Sequence, residues 1–544
     1  MGITGNDRAW KEELTAGEIF FCLFFGTLLF AKGVGLYDGQ GIFRIFLLIA
    51  SAFWGLKMLT TEWEIRELLT AVILLLLGWM AYRSSGEKAA LVSMMVITGM
   101  KGVSVRKVFR TGLVIWTGCF VITVLLALIG TIEPLMLVHN KAGLGYVIRN
   151  SLGYTHPNVL HISYVILLAF WFYTFQWTGK KLLKAVGIAF LGNLYIFAYS
   201  LSYTGFALTV FYLVLLVYIS FRKKRTKAEN VLLWCIFPVC ALGSVIGPLV
   251  LTGKAFDIVN KLVNTRFYLS RHYLTKYPLT LFGGQVQGGN GWSVDCSYVY
   301  CLMYYGVVLA VLFFVAYAGC IADLIRRRQD DALAVVVGLL AAGFTEPFLF
   351  NFSFKNLTLL FLGAYFYSLF AKLQSKEIRK IGTFRLLCLK KDSFVICIPP
   401  RFGKVRGITI RRKKWITVSG MIAGIFLGGI LGMELIHVPS YVIVNKSCSD
   451  RVGGREDYEI FGELPEEIRA DSLQIACQGE DTKVYVFEGS TVTLEKYRRE
   501  LSAALGGGVL GGSIAFAAAI AVGLRKRMQS NENSDAGKLE GAFL

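Results

Sequence analysis

Charge is scarce in this chain, and so are the short motifs that announce a reaction centre. Only 17% of its 544 residues are Asp, Glu, Lys or Arg, and only 5 are His. No Cys-x-x-Cys, His-Glu-x-x-His or EF-hand pattern occurs, so a dedicated metal site is not indicated. Met1 to Lys11 lacks the basic start and small-residue cleavage site of a signal peptide, so the first apolar run is expected to stay in the protein. No internal repeat of the transporter kind is visible. What is present is apolar: 55% hydrophobic residues, 14% aromatic and a mean hydropathy of +0.57 exclude a soluble domain.

Runs of roughly 18 to 22 apolar residues read as membrane-spanning helices. They fall near 17–36, 42–58, 66–82, 88–103, 111–132, 158–177, 182–201, 204–221, 231–251, 297–322, 333–351, 355–373, 415–436 and 506–524. The formal charge of +21 invites a nucleic-acid reading, but its placement opposes one. Basic clusters lie at Lys101–Arg110, Lys180–Lys184, Arg222–Arg225, Arg326–Arg328, Lys372–Lys414 and Arg525–Arg527. Threading the runs with the N-terminus inside puts every cluster on the cytoplasmic side, as the positive-inside rule requires. The excess charge then sets topology and attracts anionic lipid. Both termini are expected in the cytoplasm of a multi-pass protein of the cell (plasma or inner) membrane, with no nucleic-acid partner.

The expected fold class is therefore an all-α polytopic membrane protein. Residues 1–374 form a core of about twelve helices, and 375–414 a basic cytoplasmic linker broken by Pro399-Pro400. Residues 415–524 form a two-helix hairpin carrying a small α+β extracytoplasmic domain at 437–504, and 525–544 a cytoplasmic tail. Within that domain Lys483–Phe487 reads as a strand, and Glu456 to Glu467 as helix or loop. Cys448 and Cys477 share the segment and are candidates for a disulfide in an oxidising compartment. Glycines at 424, 428 and 432 and at 506–512 suit close helix packing.

The threading leaves outer segments at about 133–157, 199–204, 252–296 and 437–504, plus the turn near 346–354, and polar residues cluster there. Arg149…Gly153-Tyr154-Thr155-His156-Pro157-Asn158 offers a guanidinium suited to phosphate and an imidazole that either orients the loop or moves protons. Pro157 should open the next helix, with Asn158 in its first turn. Tyr199–Gly205 is a tight turn whose glycine allows close helix contact. The long loop carries Arg266, Arg271 and His272, then Leu281-Phe-Gly-Gly284, then Asp295-Cys-Ser-Tyr298. Arg266 and Arg271 fall roughly 140° apart on a helix, so they grip one ligand only if the segment bends or lies across it. Asp295 is either a general base near an apolar wall or a helix N-cap. Glu346…Lys355 is either a site or a salt bridge pinning the outer turn.

Taken in order, these segments resemble the bacterial O-antigen ligase/polymerase superfamily, closest to the capsular and exopolysaccharide repeat-unit polymerases. The carrying residues are Arg149–Asn158, Ser200–Gly205, Arg266, Leu281–Gly283 and Asp295–Tyr298, and coverage is about 15–374. The resemblance implies a glycosyltransferase that polymerises undecaprenyl-pyrophosphate-linked repeat units on the outer membrane face, without cofactor or metal. Arginines would stabilise the pyrophosphate leaving group and a base would activate the acceptor hydroxyl. Carried over by position, Asp295 takes the base role and Arg266 the pyrophosphate role. Arg149, His156, Asn158, Tyr203, Arg271, His272, Tyr298 and Glu346 are candidate substrate contacts. Tyr203 stands where the family has Arg, and Cys296 where it has Asn; Arg149 or Arg271 would replace the missing cation. The expected partners are the lipid-linked glycan, the bilayer and other polysaccharide-assembly proteins.

Rival readings remain. A ligase would transfer finished glycan to a lipid or wall acceptor. A transporter predicts charge at mid-membrane, whereas the polar groups here cluster at the outer face. A sensor or scaffold would place recognition in 437–504. The hairpin lies outside the family pattern and is similar to chain-length regulators only in arrangement.

Overall fold

In a computed structural model, residues 11–128, 131–132, 135–141, 145–222, 224–286, 294–374, 383–387, 393–397, 418–430, 441–447, 452–453, 458–461, 476–478, 482–487 and 490–540 are described. They fold into two compact units, one of 11–134 with 150–396 and one of 135–149 with 397–544.

The first unit is a helical bundle. Its helices are α1 (Ala16–Gly33), α2 (Gly41–Thr60), α3 (Ile65–Ser85), α4 (Ala89–Gly99), α5 (Val105–Leu128), α6 (Pro157–Phe175), α7 (Gly179–Ser200), α8 (Tyr203–Phe221) and α9 (Lys227–Val250). After them come α10 (Gly253–Leu262), α11 (Arg266–Lys276), α12 (Ser297–Tyr300), α13 (Gly306–Arg327), α14 (Asp330–Ala342) and α15 (Thr358–Gln374). A π-helical turn, Cys301–Tyr305, joins α12 to α13. Every apolar run expected before residue 375 is represented by a helix. Among the described residues of the whole chain, 10 helices are long and apolar enough to cross a membrane, and the protein is a multi-pass membrane protein.

Helix starts follow from the local sequence. Thr15 and Glu18 make a reciprocal capping box on α1, and Thr226 and Glu229 do the same on α9. Pro157 is the first residue of α6, where its missing N–H costs nothing. The short helices α4 and α14, roughly 17 and 20 Å long at 1.5 Å per residue, are buried on almost every face. Neighbouring helices, not lipid, surround them, so neither needs the length of a full span. Phe109 of α5 anchors that interior, with ring centroids 5.3 Å from Phe170 (α6), 4.4 Å from Tyr173 (α6) and 5.3 Å from Phe361 (α15).

The run read as a span over 333–351 is not one helix. α14 stops at Ala342, and 343–357 unwinds into a connection containing a single 3-10 turn, Pro347–Leu349. The cause is local: Pro347 forces Glu346 out of the helical region, to φ −133° and ψ 140°. Irregular backbone is tolerated at a bundle end when protein or a cavity surrounds it.

The glycines of the Leu281–Gly284 motif serve the backbone. Gly283 (φ +78°) and Gly306 (φ +82°) lie so close that a Cβ on Gly306 would sit 2.2 Å from the Gly283 nitrogen. Val307 N–H donates to Thr280 O at 3.0 Å and Val308 N–H to Leu281 O at 3.1 Å, clasping the loop onto the start of α13.

In the second unit, the described strands include β1 (Leu135–Lys141), β2 (Gly145–Asn150) and β3 (Val452–Gly453), which share a sheet in the order β2-β1-β3. The strands β4 (Tyr441–Ser447), β5 (Tyr458–Phe461), β6 (Ala476–Gln478) and β7 (Thr482–Phe487) form an antiparallel sheet in the order β6-β7-β4-β5. The strand expected at Lys483–Phe487 is present. Tyr458–Phe461, read as helix or loop, is instead a strand: the four residues pair with Tyr441–Val444 of β4. Helix α16 (Val418–Ile430) packs on the 51-residue α17 (Ser490–Glu540) through glycine. A Cβ on Gly424 would fall 2.2 Å from the Gly507 carbonyl oxygen. The Cys448–Cys477 pairing lies outside the described residues.

Candidate active site

The α14–α15 connection is fixed from two sides. Ser297 Oγ, at the start of α12, donates to the Glu346 carbonyl at 2.5 Å and accepts from Leu349 N–H at 3.2 Å. Asn356 Nδ2 donates to the Leu349 carbonyl at 2.7 Å. These bonds hold the Glu346 side chain against the start of α11. There Asn264 and Thr265 adopt left-handed backbone (φ 52° and 67°), turning the chain so that Arg266 opens the helix.

Arg266 is locked. Its Nη2 lies 2.9 Å from Glu346 Oε1, its Nε donates to Thr345 O at 2.6 Å, and its Nη1 donates to Asn264 O at 3.2 Å. Three of the five N–H donors of a guanidinium are thereby engaged, which leaves two. Thr204 Oγ1 donates to the same Glu346 oxygen at 3.1 Å. Both partners are buried, with side chains 4% and 7% exposed. Burial pushes the Glu346 carboxyl up, against the pull of Arg266, and Asp295 adds to the rise.

A cavity of about 780 Å³ opens beside this pair, wholly within the helical bundle. The end of α1, the α3–α4 connection, the starts of α6 and α11, the Asp295–Tyr300 stretch and the α14–α15 connection all contribute to its wall. These segments share one end of the bundle. The ionisable side chains that line it include Lys32, Asp38, Glu87, Arg266, Asp295, Glu346 and Lys355. Asp38 is held by Lys88 at 2.6 Å. Glu87 accepts a hydrogen bond from Tyr300, yet burial still raises its carboxyl.

Lys355 is the exception. No salt bridge joins it to Glu346, whose Oε1 is held by Arg266 and Thr204 and which attracts Lys355 only at longer range. The Lys355 side chain is buried, and its ammonium lies 5.9 Å from the centre of the Trp116 ring. No ion pair or hydrogen bond to it exists among the described residues. A cation over a ring recovers about 0.5–2 kcal/mol, well short of what an ammonium loses on leaving water. Lys355 lies in the connection, outside the spanning helices, and burial pulls its amine down to about 7. Lys32 sits likewise on rings, 4.0 Å from the centre of Phe43 and 4.7 Å from that of Phe352.

Of the residues singled out in the sequence, Arg266, Asp295, Glu346, His156 and Asn158 line this one cavity. His156 is the N-cap of α6, its Nδ1 accepting from Asn158 N–H at 3.0 Å, so it orients the loop. Asn158 Oδ1 accepts from Ser202 Oγ at 2.9 Å, tying α6 to the Ser200–Gly205 turn. Gly205 allows that contact, since a Cβ there would lie 2.6 Å from His161. Asp295 is not an N-cap: the cap of α12 is Cys296, one residue on.

The remaining candidates are placed elsewhere. Arg271 shares α11 with Arg266 but diverges from it. Its Nε donates to Pro248 O at 2.5 Å, its Nη2 reaches Leu251 O, and its guanidinium stacks 3.8 Å from Phe256, closing the end of α9. It does not replace the missing turn cation. His272 packs its ring edge-on against Tyr273. Tyr298 is buried and donates to Leu340 O at 2.5 Å, a structural bond. Tyr203, at the start of α8, is 40% exposed and tilts against Phe197. Arg149 is buried in the other compact unit.

Sequence reasoning missed Lys32, Glu87 and the internal pair His161–Asn193, whose Nε2 and Oδ1 lie 2.7 Å apart. The first two sit at helix ends, where a lone charge reads as a boundary mark. Compared with protein-family models, curated proteins and solved structures, the chain matches none.

Proposed function

We propose that the protein is a membrane glycosyltransferase that joins undecaprenyl-pyrophosphate-linked repeat units into a surface polysaccharide. In this reading it sits in the plasma or inner membrane with both termini cytoplasmic, and the cavity opens to the outside. Alternating helices support that orientation. They put the clusters at Lys101–Arg110, Lys180–Lys184, Arg222–Arg225 and Arg326–Arg328 at the end opposite the cavity.

The observation that carries the reading is the convergence of Arg266, Asp295 and Glu346, distant in sequence, on one cavity of about 780 Å³. The acceptor sugar hydroxyl attacks the anomeric carbon of the donor, the bond from that carbon to the pyrophosphate oxygen breaks, and the hydroxyl proton passes to Asp295. Positive charge at the wall stabilises the departing lipid pyrophosphate.

The clean test is Asp295→Asn, because it removes the charge and basicity of the side chain while keeping its size and shape. In cells lacking the native copy, this variant should accumulate to normal level and yield single lipid-linked units without polymer. Polymer of normal length sinks the assignment. Accumulated full-length lipid-linked polymer would identify a ligase instead.

A further inference from the structure

We infer that Lys355, with Lys32, forms the anion seat of this cavity and takes a phosphoryl group of the diphosphate class, the role that sequence order would give to Arg266. The inference deepens the proposed reaction and rests on it only for the identity of the natural ligand. Three observations carry it. Arg266 already spends its fork on Glu346, Thr345 and Asn264, so its charge is neutralised before any ligand arrives. Lys355 is 6% exposed, lines the cavity, and has an aromatic ring where a buried cation needs an anion. Lys32 lines the same cavity from the end of α1, again on rings, one of them Phe352 of the connection that carries Lys355.

Glu346 attracts Lys355, and Asp38 and Glu87 attract Lys32, but neither ammonium is ion-paired among the described residues, so an anion bridging the two would gain both contacts. A singly charged carboxylate would neutralise one ammonium. A diphosphate carries at least two charges and several acceptor oxygens, which matches two separate donors of three N–H each. Lysine is a point-charge phosphate binder, so the seat would tolerate the changing geometry of a departing group better than a fixed guanidinium fork.

The test uses the full chain purified in detergent, titrated calorimetrically with sodium pyrophosphate and separately with a C55 polyprenyl diphosphate in micelles. The free alcohol of the same chain length serves as blank. The wild type should bind at least one diphosphate. Lys355→Gln should weaken that binding about tenfold or more, as loss of a charge-assisted bond does. Lys355→Arg should stay within about threefold, and Lys32→Gln should fall between them. Preference for the polyprenyl form assigns the anion to a lipid headgroup, and equal binding assigns it to a free diphosphate; either supports the seat. Absence of binding to both, or unchanged binding in Lys355→Gln and Lys32→Gln, overturns it. Should Lys355→Gln not fold, Lys32→Gln and Lys355→Arg decide alone. The two proposals separate cleanly. Polymer lost in Asp295→Asn with normal diphosphate binding in Lys355→Gln removes only the seat. Binding lost in Lys355→Gln with normal polymer in Asp295→Asn removes only the reaction.

Discussion

The two ends of the helical bundle treat their cations in opposite ways. At the end away from the cavity, lysines and arginines meet acids. Lys107 pairs with Glu18 at 2.6 Å, Lys101 pairs with Glu67, Arg225 pairs with Asp330 at 2.6 Å, and Asp323 gathers Arg326, Arg327 and Lys372. Even the buried Lys57 donates to Thr61 Oγ1 and to Lys101 O, both at 2.7 Å. At the cavity end Arg266 takes the buried Glu346 and Lys88 pairs with Asp38 at 2.6 Å, but the two lysines Lys355 and Lys32 rest on rings. One end uses charge to fix helices together. The other holds charge unspent, which is how a binding site differs from a joint.

The largest test of this contrast breaks the one buried pair at the cavity end. Arg266→Ala would leave Glu346 without its cation in a nearly dry setting, and should cost about 3–5 kcal/mol of stability. Thermal unfolding in detergent reads this as a large fall in midpoint. The double variant Arg266→Met with Glu346→Leu should recover much of it, because no orphaned charge remains. Equal losses in the single and double variants would mean the pair is not the source of the stability. Loss of polymer in Arg266→Ala is therefore no measure of catalysis by itself.

A second test reverses sign between the ends. Lys355→Met removes a buried cation without a partner, so it should raise stability by about 1–2 kcal/mol while abolishing activity. Lys57→Met, at the other end, removes two satisfied hydrogen bonds and should lower stability by about 1–2 kcal/mol. The same substitution at two buried lysines thus moves the unfolding midpoint in opposite directions. A fall at both positions would mean that Lys355, like Lys57, is held by stabilising partners.

What the sequence could and could not show follows the same division. Helices, their order and the placement of basic clusters depend on local runs and neighbouring charges, and these were legible. So were Pro157 at the start of α6 and Gly205 in its tight turn, which are local backbone demands. The partner of Glu346 was not, because Lys355 is nearer in sequence while Arg266, 80 residues away, wins in space. The end of α14 at Ala342 was signalled by Gly343 and Glu346-Pro347, but the apolar residues on both sides of that break merged into one run. Arg271 looked like a second phosphate ligand because its bonds run to backbone carbonyls, which carry no signature in a sequence. Of the ten site residues proposed, those that reach the cavity lie beside helix starts or in the unwound connection.

A smaller effect tests the acid hub of the opposite end. Asp323 is buried, but its partners Arg326, Arg327 and Lys372 are 69%, 38% and 39% exposed. Solvent screens such partners, so Asp323→Asn should cost only about 1 kcal/mol, spread over three weak pairs. The loss should shrink in high salt, whereas that of Arg266→Ala should not, since buried pairs are poorly screened. Equal salt sensitivity at both ends would contradict the difference in burial between them.

The smallest expected effect concerns Arg222. Its Nε lies 2.8 Å from Glu229 Oε1, and Glu229 also caps α9 through Thr226. The Arg222 side chain is 51% exposed, so solvent screens the pair. Arg222→Ala should therefore leave the unfolding midpoint unchanged at pH 7, because the cap persists without it and an exposed pair contributes little. In the proposed topology its basic charge serves orientation instead. Replacing Arg222, Lys224 and Arg225 together should disturb insertion topology, read by cysteine accessibility on either membrane face, before any single loss disturbs stability.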